Sequence, residues 1–124
     1  MLAAAGLLNG CIFVSNTTSG YKGNTRAVSK TEMVEVMDAN NRVRLGMTLE
    51  GALESYPQRL VTLRSSASID DHTIEVYQVA AYQSNGASRF ERWLYFVDGK
   101  LVEVSDVELD WRGNEGLLLN WGVR

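Results

Sequence analysis

The sequence predicts an α+β domain: two N-terminal helices packed on a three-stranded antiparallel meander, closed by an apolar C-terminal tail. Three observations lead there. Apolar residues recur at helical spacing between Ser29 and Leu53 and with a period of two beyond Pro57. Asp98-Gly99 stands between two alternating apolar runs, a strong short-range hairpin signal. Residues 1–28 follow neither period, which leaves 29–124 as one domain.

A chain of 124 residues suits a single core, and 45% hydrophobic with 22% charged residues is ordinary for a globular protein. The net charge of −3 counts against a general nucleic-acid binder, which needs a basic stripe to displace counterions. No apolar run approaches the roughly 20 residues that span a bilayer.

Leu2 to Leu8 are apolar or small, and Asn9-Gly10 then leads to the only cysteine, Cys11. Leu8, Gly10 and Cys11 fit a bacterial lipoprotein signal over residues 1–11, with Cys11 as the lipidation site and first mature residue. No Lys or Arg precedes the apolar stretch, and the stretch is short; one explanation is a start further upstream. The alternative is a buried apolar element in a soluble cytosolic domain, with Cys11 as a small hydrophobe. Residues 12–28 are rich in Ser, Thr, Asn, Gly and Lys and read as a flexible tether. The sequon Asn16-Thr17-Thr18 is taken as accidental.

The first helix is expected from Ser29 to Val43. Ser29 or Thr31 caps it, Glu32 and Glu35 suit its positive end, and Met33, Val34, Val36 and Met37 are apolar. Arg44-Leu45-Gly46 breaks the chain. Thr48 caps a second helix with Leu49, Ala52 and Leu53 at i, i+3, i+4, and Pro57 stops it. Leu60 to Leu63 is a short alternating piece, and Ser65 to Asp71 reads as a polar turn region. The meander follows as Thr73–Tyr82, Arg89–Val97 and Lys100–Val104, with turns at 83–86 and 98–99.

Strict alternation across Asp98-Gly99 sets Phe96 opposite Leu101, Tyr95 opposite Val102 and Trp93 opposite Val104. One face then carries Trp93, Tyr95, Val102 and Val104. The other carries Phe90, Leu94, Phe96 and Leu101 with Arg92 and Glu103. Two short helices cover one face only. The second is covered either by the tail, with Trp111, Leu117 to Leu119 and Trp121, or by a partner. Phe90, Arg92 and Leu94 are the candidate partner surface, since aromatics and Arg are enriched at interfaces.

Catalytic groups are sparse. The single histidine, His72, stands beside Asp70 and Asp71 in an expected turn, where with Ser66 it makes a triad on paper without triad geometry. Asp70-Asp71-His72 lacks the further ligands that close a metal site. Gly10, Gly20 and Gly23 lack the strand-to-helix setting of a phosphate loop. The expectation is a non-enzymatic chain without cofactor or metal.

Leu45-Gly46-Met47-Thr48-Leu49-Glu50 resembles the entry to the second helix in the SmpA/OmlA (BamE-like) family of small lipoproteins. Trp93 to Val102, with its Asp98-Gly99-Lys100 turn, is similar to that family's aromatic hairpin. Ser55-Tyr56-Pro57 departs from the Gly-x-Pro usual there. The resemblance implies a BamE-like α+β fold and an accessory, protein-binding role at the periplasmic face of the outer membrane. Ile12, rather than Asp, after Cys11 is similar to lipoproteins sorted to that membrane. The function expected is therefore a lipid-anchored envelope module that binds another envelope protein through its sheet or sheet edge. The alternative is a lipid or small-molecule site between helices and sheet, lined by Met33, Met37 and the strand aromatics.

Overall fold

The computed structural model describes residues 27–83 and 88–123. In chain order these form β1 (Ala27–Val28), α1 (Lys30–Arg42), α2 (Leu49–Leu53), a 3-10 turn (Gln58–Leu60), β2 (Val61–Ile69), β3 (His72–Gln83), β4 (Arg89–Val97), β5 (Lys100–Ser105) and α3 (Glu115–Asn120). The expected two-helix, three-strand fold is thus corrected to a five-stranded sheet with three α-helices.

Two strands account for the difference. The stretch from Ser65, expected as a turn, continues β2, and the turn shrinks to Asp70-Asp71. Both aspartates have positive φ (50° and 67°), as the tight hairpin between β2 and β3 requires. Serines hid this part of the strand because it lies at an edge, with Ser66 and Ser68 exposed and, beyond Ser65, only Ala67 and Ile69 packed against a core. The second addition, β1, lies inside the expected tether. Ala27 and Val28 pair parallel with Tyr82 and Gln83, and Val28 is buried, so the domain begins by residue 27 at the latest.

α1 begins on a capping box: the Ser29 hydroxyl accepts from Glu32 N–H, and the Glu32 carboxylate accepts from Ser29 N–H. Met33, Val36 and Ala39 turn inward, while Met37 is 48% exposed. α2 is capped by Thr48 and buries Ala52 and Leu53.

The helices cover one sheet face, where Val79, Ala81, Phe90, Leu94, Phe96 and Leu101 meet them. The tail covers the other, with Trp111, Leu118, Trp121 and Val123 packed on Ile74, Val76, Trp93, Tyr95 and Val97. α3 closes this layer through its C-terminus. Gly122 takes φ 83°, Gly122 N–H reaches Leu119 O, and Val123 N–H reaches Leu118 O at 2.9 Å. This is the Schellman arrangement, and its usual apolar contact is supplied here by Leu118 and Val123, both buried.

The hairpin register also differs from strict alternation. Phe96 faces Leu101 as expected, but Tyr95 then faces Glu103, Leu94 faces Val104 and Trp93 faces Ser105. Val102 is the extra residue of a β-bulge. Val104 therefore joins the helix-side core, and Glu103 turns to the tail side.

Candidate functional site at the open edge of the sheet

β5 ends the sheet on one side, and an end strand carries unpaired backbone groups. Its first half is covered by the chain between α1 and α2. Gly46 N–H donates to Leu101 O at 2.7 Å, Leu101 N–H donates to Met47 O at 2.9 Å, and Leu49 N–H donates to Gly99 O at 2.8 Å. Gly46 allows this approach with φ 93°, a backbone conformation that side chains disfavour.

The cover stops after Leu101. Across the bulge, Val104 forms the next pair whose N–H and C=O point away from β4, and they meet no backbone partner among the described residues. A cleft of about 560 Å³ opens there, lined by Val43, Arg44, Leu45, Val102, Glu103, Val104, Asn120 and Trp121. Val102 and Glu103 face the tail layer and Val104 the helix layer, so the cleft looks onto the strand edge-on.

Both walls are fixed by hydrogen bonds. Arg44 Nη1 donates to Asn41 O at 2.6 Å and Val43 O at 2.9 Å, tying the guanidinium to the end of α1. Opposite, Trp121 Nε1 donates to Glu103 Oε1 at 3.1 Å, and its ring lies 5.1 Å from that of Tyr95. Burial pushes the Tyr95 phenol up, and its hydroxyl oxygen accepts from Leu109 N–H at 2.7 Å, anchoring the start of the tail. Leu45 stands 66% exposed at the rim. The cleft thus offers strand hydrogen bonds, apolar rims, one cation and one carboxylate already engaged by an indole.

The residues singled out by sequence fare differently. Phe90 and Leu94 are buried under the helices, and the Arg92 guanidinium stacks on Phe90 at 4.7 Å. The expected exposed patch is therefore corrected: this is the face the helices need for their own core. Cys11 lies outside the described residues. His72 Nδ1 sits 2.6 Å from Asp98 Oδ2, joining two hairpin turns far along the sheet from the cleft. The Thr73 N–H, and then His72, hold the Asp98 carboxyl below its ordinary value. Ser66 sits opposite Glu75, whereas His72 shares the other face with Ile74, so the paper triad is not assembled. Among the described residues no group of three or more His, Cys, Asp or Glu is placed to hold a metal. Met33 is buried and Met37 faces solvent, so the two do not line one cavity.

The cleft residues escaped the sequence reading because a bulge creates the site. Arg44-Leu45-Gly46 was legible as a break, and nothing local showed that it would shield half of β5. Compared with known proteins, the chain matches no family model, no curated protein and no solved structure.

Proposed function

We propose that this chain is a protein-docking module that takes an extended segment of another polypeptide onto the edge of β5. The carrying observation is the outward N–H and C=O of Val104 at the floor of a cleft with fixed walls. Strand addition of this kind draws affinity from main-chain hydrogen bonds and specificity from pockets for alternate side chains. The 46–49 segment already pairs with β5 in this manner over its first residues, so an incoming strand extends an existing row. The lipobox-like run ending at Cys11 supports placement in the bacterial envelope, at the periplasmic face of the outer membrane. There acyl chains would raise the module's effective concentration for a neighbouring protein, and stable attachment calls for more than one chain.

A photo-crosslinking amino acid at Leu45, in cells, tests the docking. The expected adduct maps to one extended segment of a partner and disappears with Val104→Pro. That substitution removes an outward N–H and leaves the β4–β5 ladder intact. An adduct indifferent to Val104→Pro rejects strand addition. The mass of the mature N-terminus tests the anchoring separately: an acylated Cys11 supports it, and an unmodified chain from a complete leader rejects it.

A further inference from the structure

Among the described residues the sheet has a second open edge, along β2, and beside it stands a charge that none of them answers. Ile69 and His72 close the two-residue hairpin as a hydrogen-bonded pair. The pairs Ser68–Thr73 and Ser66–Glu75 are then the non-bonded kind, with the serine N–H and C=O groups directed away from β3. Thr73 fits this alternation, since its own N–H and C=O are used toward β4: Asp98 N–H donates to its carbonyl at 2.8 Å, and its N–H donates to Asp98 Oδ1 at 2.9 Å. Both serines are exposed. Natural edges are defended by Lys, Pro or inward charge. Val61–Ile69 holds a single charged residue, Arg64, and the bulge turns it to the tail side. There Arg64 Nη1 donates to Gln78 Oε1 at 2.7 Å, and the guanidinium lies 5.4 Å from the centre of the Trp93 ring.

On the helix side of the same edge stands Glu75, directly across from Ser66. It is half-buried and makes no hydrogen bond or ion pair among the described residues. Burial holds its carboxyl above the ordinary value. Tyr77 follows on the same face, its phenol pushed up to about 12 by burial and then by the Glu75 charge. Leu63, 43% exposed, pairs with Tyr77. A desolvated carboxylate beside an aromatic and an aliphatic side chain is a receptor for a cation on an apolar stem. Only Ser66 separates that carboxylate from the edge.

We propose that the outer edge of β2 is a docking site for a basic β-strand. A partner segment pairs with Ser66 and Ser68 and lays one lysine or arginine over Ser66 onto Glu75, with its stem on Tyr77 and Leu63. A strand added to the edge places its side chain one strand spacing, about 4.8 Å, beyond Ser66 and so about 10 Å from Glu75. A lysine or arginine crosses that span over a serine, whereas a bulkier residue at position 66 would block it. The net charge of −3 favours encounter with a basic partner. This surface lies at the opposite end of the sheet from β5, so it stands or falls independently of the docking proposed there.

The test uses the full chain, isotopically labelled, and three synthetic ten-residue peptides of alternating Thr and Val. Their central residue on one face is Lys, norleucine or Glu. The lysine peptide is expected to shift the Ser66 and Ser68 amide signals, to slow their hydrogen exchange, and to bind about ten-fold or more tightly than the norleucine peptide. Glu75→Gln is expected to make those two peptides equal. Ser66→Pro, which deletes an outward N–H and no ladder bond, is expected to abolish binding of both. Equal affinities on the unaltered chain overturn the proposal, as do shifts confined to Val104. Ser66 and Ser68 amides already protected in the free chain also overturn it, because the edge is then covered by the chain itself or by a second copy.

Discussion

Trp121→Ala tests whether the tail is a structural layer of the domain or an appendage laid on it. The indole is 5% exposed, stacks near Tyr95 and Trp111, and fastens Glu103 through Nε1. Truncating such a side chain removes its burial and leaves a cavity, costing about 3–5 kcal/mol. A domain of this size holds about 5–15 kcal/mol in total, so the loss is roughly a fifth or more of the usual margin. Trp121→Phe keeps most of the ring and deletes the hydrogen bond. A bond to a charged acceptor contributes about 1.5–3 kcal/mol when fully buried, and the half-exposed Glu103 lowers the expectation to about 1–2 kcal/mol. Urea unfolding followed by fluorescence and by far-UV circular dichroism measures both. Coincident transitions at a lower midpoint, with an unchanged slope, are expected for each variant. A midpoint for Trp121→Ala within about 0.5 kcal/mol of the parent refutes the argument. So does a separate early transition seen by fluorescence alone, since the tail would then unfold without the sheet.

Three further outcomes follow from single groups. Glu75 has its pKa raised on folding by burial, so its charge opposes the native state once the pH passes the unfolded carboxylate value. Glu75→Gln is therefore expected to raise the urea midpoint at pH 7 and leave it unchanged at pH 3. Asp98 has its pKa lowered on folding by the Thr73 N–H and then by His72, so its contribution is present above the unfolded value and lost as pH falls through the folded one. Asp98→Asn should flatten the acid limb of the stability profile, as read by urea midpoints between pH 7 and pH 2. Ser29→Ala opens the capping box of α1 and is expected to cost about 1 kcal/mol in the same assay.

What the sequence made legible was whatever rests on local chemistry. The helix capped at Ser29, the cap at Thr48 and the Asp98-Gly99 turn are each decided within a few residues, whereas α2 ends at Leu53, short of the stop expected at Pro57. Tail cover was also within reach, because Trp111 and Trp121 needed a surface and the hairpin had a spare apolar face. What escaped depends on partners distant in the chain. β2 is held by pairing with β3, and its serines sit where an edge strand meets water, so hydrophobic pattern was a weak guide. β1 owes its two residues of strand to a vacancy beside Tyr82 and Gln83. Phe90 and Leu94 carry no local sign of burial, because which sheet face the helices cover is decided by packing between segments far apart in the chain.

The bulges explain why the candidate site is where it is. In β2, Val61 packs with the helix-side core while Ala67 and Ile69 pack with the tail-side core. All three have the same parity, so unbroken alternation would place them on one face. The extra residue at Arg64 shifts the phase by one and satisfies both cores. In β5 the same conflict arises between Leu101 and Val104, which both pack with the helix-side core but differ in parity. Without the bulge at Val102, Glu103 would be driven among Leu94 and Phe96, and a carboxylate buried there without a partner is costly. The bulge instead delivers Glu103 to Trp121 and turns the backbone of Val104 outward past the end of the 46–49 cover. The bulge thus decides which residue offers its backbone at the cleft, because one strand serves two cores. Deleting Val102 keeps Glu103 opposite Tyr95 and Val104 opposite Leu94. It is therefore expected to retain the docking edge and to lower the urea midpoint only by the lost packing of Val102 on the tail layer. Inserting one residue after Leu101 is instead expected to shift the phase and remove both the edge and that packing.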